Sequence, residues 1–561
     1  MATEPTGDQV DAGFDVLEKG LKPGALGLMS STVIALASVA PAYSLAATIG
    51  YVVLVVGLQA PIIMALAFIP MYCVAVGYRE LNEAEPDAGT TFTWASRTFG
   101  PRTGWMGGWA IFASDVIVMA NLAAIAGSYF FLLVNADDVA GQTLWPTVVG
   151  SVWIVLMTYV CYRGIEVSAK LQYGLLGIEL VVLLVFSVVA LARIYLGHAV
   201  AGVSLHPSLA WFNPFRIDSF HSLATGMLLA VFIYWGFDTA VSVNEETRDA
   251  RKTPGRAAVL ATLVLLVVYV LVTTATQAYA GAGTTGIGLG NPDNADDVFS
   301  VLARAVFGTS VVGSIGVHLL ILMVLSSAAA STLTTILPTA RTTLSMAVHR
   351  ALPARFARMH SRYQTPTWST IGMGAVSIVF YVALTMLSGS VLEDTIASIG
   401  LLIAFYYGMT GFTAPVFYRH QLTESVGSFV RRGVLPFLGG LILLFAFLQA
   451  GYDYWKAGPD ADSTTSWTFP FPPHWTIGGI FLTGIGSLAL GLVLMVLTWI
   501  LMPPFFRGET LPKRTAEQLA GYGLDVSAED VVTSAQAAAA HLATLVPAGS
   551  RILVTGGDGL V

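Results

Sequence analysis

No charged residue occurs between Lys22 and Arg79. A helix crosses the hydrocarbon core of a bilayer in about 20 apolar residues. That one stretch is therefore long enough for two crossings, broken near Gly50–Gly57. Further apolar runs lie at 103–134, 144–162, 170–196, 220–244, 256–280, 311–338, 367–388, 394–418, 434–451 and 475–502, which makes twelve in all. Only 11% of the 561 residues are charged, against roughly 25% in soluble domains. So few charges cannot cover a water-facing surface of this size, and the solvent is lipid. The first run has no cleavage-site pattern and is followed by many more, so it reads as a span and not as a removable signal. The net charge of −7 argues against nucleic acid as a partner. Cys73 and Cys161 sit inside apolar runs and offer neither a disulfide framework nor metal-ligand spacing.

The basic residues orient the spans. With the N-terminus placed in the cytoplasm, all of the 27 Lys and Arg except Arg193, Arg216, Arg304 and Lys456 fall on the cytoplasmic side. The loops assigned outside are acidic, with Asp137-Asp138, Asp296-Asp297 and Glu393-Asp394. An odd number of missed spans would scramble this pattern. The expectation is a multi-pass plasma-membrane protein with both termini cytoplasmic, divided into an N-terminal segment (1–22), a twelve-helix membrane domain (23–505) and a tail (506–561).

Two spans are interrupted. The first reads Ser38-Val39-Ala40-Pro41-Ala42-Tyr43-Ser44, and Pro41 removes a backbone donor and clashes with the preceding turn. The sixth reads Phe232-Ile233-Tyr234-Trp235-Gly236-Phe237-Asp238, with glycine beside a carboxylate at membrane depth. Non-helical backbone at that depth survives only where it lines a cavity or is buried in protein. Taken singly, each reads equally well as a packed kink or an interface glycine. As a pair they occupy matching positions if spans 1–5 and 6–10 are two repeats, which is the sequence pointer to a transporter's central site. A half-helix starting at Pro41 presents free N–H groups and a positive dipole end to an anion such as an α-carboxylate. Unwound carbonyls near Ser38 and Tyr234 suit an ammonium group.

These residues resemble a known pattern. Phe237-Asp238, then Asn244-Glu245-Glu246-Thr247-Arg248 and Thr253-Pro254-Gly255-Arg256, are similar to helix 6, inner loop and helix 7 of the amino acid–polyamine–organocation permeases. Arg341 through Pro353, the Thr365-Pro366 pair, and Glu85-Pro86-Asp87-Ala88-Gly89 match further family segments in the same order. The resemblance covers residues 20–505. It implies an all-α membrane protein of twelve transmembrane helices, with a LeuT-type 5+5 inverted repeat and discontinuous helices 1 and 6. It also implies transport of amino acids or related amines by alternating access, usually coupled to protons or a counter-substrate. By the same resemblance the substrate lies between both breaks and helices 3, 8 and 10. Phe232 then matches the aromatic that closes over substrate, and Asp238 the acidic position after the helix 6 glycine. The family's glycine-rich helix 1 motif is replaced here by Val39-Ala40-Pro41-Ala42-Tyr43, so substrate choice does not carry over.

The expected substrate-binding set is Ser38, Ala40, Pro41, Ala42, Tyr43, Asp115, Phe232, Tyr234 and Gly236. The expected coupling or gating set is Glu179, Asp238, Glu246 and Arg79. A carboxylate at the bilayer centre costs about 2.5–3.5 kcal/mol on insertion scales, so each buried acid needs a reason. Glu179 lies deep in span 5, where many relatives carry a lysine. It is a candidate proton carrier, with an interhelical hydrogen bond as the competing role. Asp238 suits gating or a structural cap, and Asp115 suits an amine or an interhelical partner. Ser326 and Ser327 suit close helix packing better than polar lining. Glu245, Glu246, Arg248 and Arg79 suit a cytoplasmic charge network, against a merely solvated loop. No metal or cofactor is expected; the expected partners are a small-molecule substrate (an amino acid or amine), a proton and the lipid bilayer. Residues 514–561 resemble an internal stretch of haloacid-dehalogenase-type phosphatases without that family's catalytic aspartates or lysine, and read as a non-catalytic fragment. The competing functions are a membrane-anchored enzyme carried by this tail, and an amino-acid-sensing receptor on a transporter fold.

Overall fold

The computed structural model describes residues 19–511, apart from 296, 309, 388–390 and 458–464. The phosphatase-like stretch, most of the N-terminal segment and the outer acid Asp296 lie outside the described residues. The chain is a bundle of helices, α1 (Leu28–Val39), α2 (Pro41–Val56), α3 (Ala60–Ala84), α4 (Thr91–Phe99), α5 (Pro101–Leu133), α6 (Asp137–Ala140), α7 (Leu144–Tyr162) and α8 (Ile165–Tyr195). There follow α9 (Phe220–Phe232), α10 (Thr239–Ser242), α11 (Thr253–Ala280), α12 (Val298–Phe307), α13 (Val311–Val348), α14 (Thr367–Leu387) and α15 (Val391–Phe417). The last are α16 (Val426–Ser428), α17 (Leu435–Trp455), α18 (Gly479–Leu501) and α19 (Pro503–Phe506). One small antiparallel pair, β1 (Ser466–Thr468) and β2 (Thr476–Gly478), departs from the all-helical expectation, with Trp467 opposite Ile477.

Ten helical stretches among the described residues are long and apolar enough to cross a membrane. They make this a multi-pass membrane protein. The sequence expectation was twelve. The first of the ten, Leu28–Ala84, contains two of the expected runs. At the sixth run, α9 stops after 13 residues.

Apolar exposure is not penalised where lipid is the solvent, so Val, Leu and Ile face outward along α7, α8 and α18. Helices associate instead by close backbone approach. A Cβ on Gly127 of α5 would lie 2.1 Å from the Pro146 carbonyl oxygen of α7, and one on Gly150 of α7 2.4 Å from that of Ala123. No side chain fits between these backbones. α1 packs on α8, α11 and α13, and α5 on α13 and α15, which brings the first interrupted helix to the bundle's centre.

The polar contacts sort the loops to two ends. Leu26 N–H donates to Glu246 O (3.0 Å) and Arg248 N–H to Leu26 O (2.8 Å). Lys22 pairs with Glu166, Arg97 with Glu85, and Arg432 with Glu80 at this same end, where α1 begins. At the opposite end Arg193 donates to the Ala305 and Val306 carbonyls, Arg304 meets Asp137, and Lys456 meets Asp453.

Candidate functional site

The break in the first span falls at Ala40, whose backbone is left-handed (φ 50°, ψ 66°). Pro41 cannot extend the helix behind it and instead starts a new one at a first-turn position, where proline's missing N–H costs nothing. The next donors of α2 are taken by side chains. Ala42 N–H donates to Glu179 Oε1 at 2.6 Å, and Tyr43 N–H to Ser327 Oγ at 3.1 Å. The Ser327 hydroxyl itself donates to Glu179 Oε1 at 2.7 Å. The helix end expected to receive a substrate anion is thus occupied by the chain's own groups. Ser327 belongs to this cluster although its small-residue setting suggested packing; Ser326 bonds back to Met323 O.

The second break runs from Ile233 to Asp238, between α9 and α10. Gly236 adopts φ +115°, a conformation that a side chain resists. Its N–H donates to the Tyr407 hydroxyl at 3.2 Å. Tyr407 in turn donates to Asp238 Oδ1 (2.8 Å) and Tyr406 to Oδ2 (3.2 Å). Trp235 Nε1 donates to the Tyr406 hydroxyl. Two adjacent tyrosines of α15 therefore hold the unwound segment from one side. From the other, Tyr269 donates to Ile233 O and Tyr234 to Met64 O. The Tyr234 hydroxyl is thereby committed to α3.

The two breaks touch. A Cβ on Gly236 would lie 2.8 Å from Ser38 Oγ and 3.0 Å from the Ser38 carbonyl carbon. The Ser38 and Thr239 hydroxyls are 2.8 Å apart, and Ser331 donates to Ser38 O. Ser38, Asp115, Gly236, Asp238, Thr335 and Tyr406 line a small polar cavity at this contact. Asp115 accepts from Thr339. The Tyr43 and Phe232 rings meet edge to face, 6.5 Å between centroids. Four expected residues, Ser38, Asp115, Gly236 and Asp238, thus share one cavity. Ala42, Tyr43 and Glu179 form the neighbouring capped helix end. A larger groove between α9 and α17, walled mainly by apolar side chains such as Phe220, Met227 and Phe445, lies away from both breaks.

At the end where α1 begins, the charged residues pair differently from the expected network. Glu246 pairs with Arg341 of α13, while Arg79 lies 4.0 Å from Glu80 and Arg248 donates to Gly24 O. Glu245 pairs with Lys19 at 2.6 Å, and Lys19 also reaches Asp87 at 2.7 Å. Asp87 accepts from Gly89 N–H, Thr93 and Ser345 as well, and His349 Nε2 lies 3.7 Å away. Burial alone would raise the Asp87 pKa; Lys19 and His349 outweigh it and hold the carboxyl well below the usual range. Burial would likewise lower Lys19, but Asp87 and Glu245 raise it. For Glu245 burial prevails over Lys19, and its pKa is raised.

Sequence reasoning missed Lys19, Arg341, Tyr406, Tyr407 and Thr339 as site residues. Their only signal was polar atoms inside apolar runs or next to motifs. Among the described residues no group of three or more His, Cys, Asp or Glu side chains could hold a metal ion.

Comparison with known proteins bears on the whole arrangement. A family model described as "Amino acid permease" matches residues 30–469. An uncharacterized transporter of Mycobacterium tuberculosis is 28% identical over 437 residues, covering 75% of this chain and 86% of that protein. A cationic amino acid transporter of Arabidopsis thaliana is 26% identical, covering 58% of this chain and 52% of its own length. The low-affinity putrescine importer PlaP of Escherichia coli is 23% identical, covering 68% and 78%.

Proposed function

The chain belongs to the amino acid permease family, and from that premise we propose that it is a secondary transporter moving an amino acid or related amine by alternating access, coupled to protons. Family and relatives are transporters and not enzymes, which sets aside the tail-borne enzyme. In this reading Leu28–Ala84 counts as two crossings and α9 with α10 as one broken crossing. That restores twelve spans and a five-plus-five repeat with its paired breaks at Ala40 and Gly236. The basic end faces the cytoplasm of a plasma-membrane protein, and truncation at about Thr510 leaves transport intact.

The observation that carries the reading is the contact between the two breaks beside buried Asp115, Glu179 and Asp238. Interrupted helices facing one another at membrane depth form the substrate sites of transporters. Relatives named for cationic amino acids and putrescine fit an amine-bearing substrate. A buried carboxylate is neutralised either by a proton or by a bound cation, and the exchange of one for the other couples their movements. Glu179 is the proposed proton carrier, Asp238 the gate, and Glu246 with Arg341 the cytoplasmic closure.

The full chain in proteoliposomes, offered labelled amino acids and amines with and without pH and sodium gradients, tests this. Uptake driven by the pH gradient is expected. Glu179→Gln should lose that drive while still exchanging substrate across the membrane; gradient-driven uptake by the variant would remove Glu179 from the coupling. A wild-type protein that binds substrate without moving it would favour the sensing receptor.

A further inference from the structure

An α-carboxylate bound at a helix start needs free backbone N–H groups. At α2 these can be counted. Pro41 has none, Ala42 donates to Glu179, Tyr43 donates to Ser327, and Ser44 N–H bonds Ala40 O at 2.9 Å. Every donor of the first turn is engaged within the chain. The acceptor at its centre is a carboxylate, fully buried and carried on α8. Glu179 therefore holds the place and the chemical type of group that an amino acid's carboxylate would bring. With Glu179 ionised, an incoming carboxylate would find no free backbone donor and would face like charge in a medium of low dielectric.

The surroundings favour the opposite charge. Asp115 and Asp238 line the adjacent cavity and, like Glu179, accept from neutral donors among the described residues, such as Thr339 for the first, Tyr406 and Tyr407 for the second, and Ala42 N–H and Ser327 for Glu179. Two further atoms there, Glu179 Oε2 and the Tyr43 hydroxyl, are buried with no hydrogen-bond partner among the described residues. Both can accept from an N–H, and a buried acceptor left unpaired is costly.

We infer that the substrate is an amine carried as a cation and bearing no carboxylate, a monoamine or diamine and not an α-amino acid. Glu179 supplies from within the protein the carboxylate that an amino acid would carry in. The inference rests on the permease reading above and narrows its substrate class.

Substrate pairs that differ only by the carboxylate decide it: putrescine against ornithine, cadaverine against lysine, agmatine against arginine, and the monoamine phenethylamine against phenylalanine. The full chain in proteoliposomes is loaded with unlabelled substrate and assayed by counterflow, which needs no proton gradient. The amine of each pair is expected to exceed its amino acid by at least about tenfold, the effect of one unpaired buried group. Glu179→Gln keeps an acceptor oxygen for the same donors but removes the charge and brings an N–H, and should narrow the preference. Glu179→Ala frees the Ala42 N–H and removes the charge, and should shrink it; if that variant fails to insert, the wild type and Glu179→Gln still decide. Equal counterflow of both members, or preference for the amino acid, overturns the inference and leaves the permease standing. A wild type that moves no member of any pair overturns both.

Discussion

Arg341 and Glu246 meet in a two-contact ion pair, Nε to Oε2 at 2.6 Å and Nη2 to Oε1 at 2.9 Å, with both side chains 1% exposed. The pair joins the end of α13 to the segment that follows the second break. Removing one member leaves the other buried and uncompensated, at about 3–5 kcal/mol. Arg341→Met and Glu246→Gln should each destabilise the protein by that order, and the double variant by less than the two together. Unfolding by SDS titration measures all three; additive losses would mean that the pair is not a unit.

Lys19 sets the acid and alkaline limits of its cluster. Asp87 is held below its unfolded pKa, so its contribution is complete above about pH 4 and is lost only as pH falls through the depressed folded value. Lys19 is raised, so its contribution is complete below about pH 10 and fades as pH rises through the folded value. The stability gap between wild type and Lys19→Met should be widest in the span between these limits and narrow outside them. Glu245, whose pKa burial raises against the pull of Lys19, favours folding at low pH and loses that as pH rises; without Lys19 that loss is larger, so Glu245 adds to the gap above its unfolded value. Melting midpoints across pH give the curve, and a pH-independent gap would contradict the assignment.

Gly236→Ala places a Cβ at φ +115° and against Ser38. Left-handed backbone costs a side chain about 1–2 kcal/mol, and here the two breaks are also pushed apart. Uptake should fall at least about tenfold with the protein still inserted and helical by circular dichroism. Unchanged uptake would mean that the contact between the breaks is incidental.

Gly127→Ala tests the bundle away from the site. Its Cβ would meet the Pro146 backbone at 2.1 Å, where no flexible side chain can yield. Overpacking of this kind costs about 1–3 kcal/mol. Gly174→Ala on α8, where a Cβ meets nothing within 4 Å, should be neutral under the same SDS titration.

Apolar runs, proline and glycine are local, so the spans and both breaks were legible from Pro41 and Gly236. Of the ten-against-twelve difference, one span is lost at the second break, because a helix cut at Ile233 is too short to count as a crossing, and one because Leu28–Ala84 runs on as a single stretch. Pairing was not legible. Lys19 finds Asp87 68 residues away and Glu245 226 residues away, and nothing local separates it from a solvated lysine. Arg341 took the place expected for Arg79 because α13 and the segment after the second break come together only once the helices have packed. Tyr406-Tyr407 carry no local mark within their apolar run, and only packing puts their hydroxyls on Asp238. Glu179 was singled out correctly as a buried acid with two candidate roles, but the sequence could not say that it faces Ala42.

The two halves of the first interrupted helix are moored to different places. α1 is laced to the segment around Glu246 and Arg248 by backbone bonds through Leu26, while Gly50 of α2 lies so near Ala295 that a Cβ would come within 2.5 Å of its backbone. One half belongs mechanically to one face of the membrane and the other to the opposite face, and the covalent link between them is a single left-handed alanine. In the proposed transport cycle, relative movement of the two faces would reach this link as torsion at Ala40.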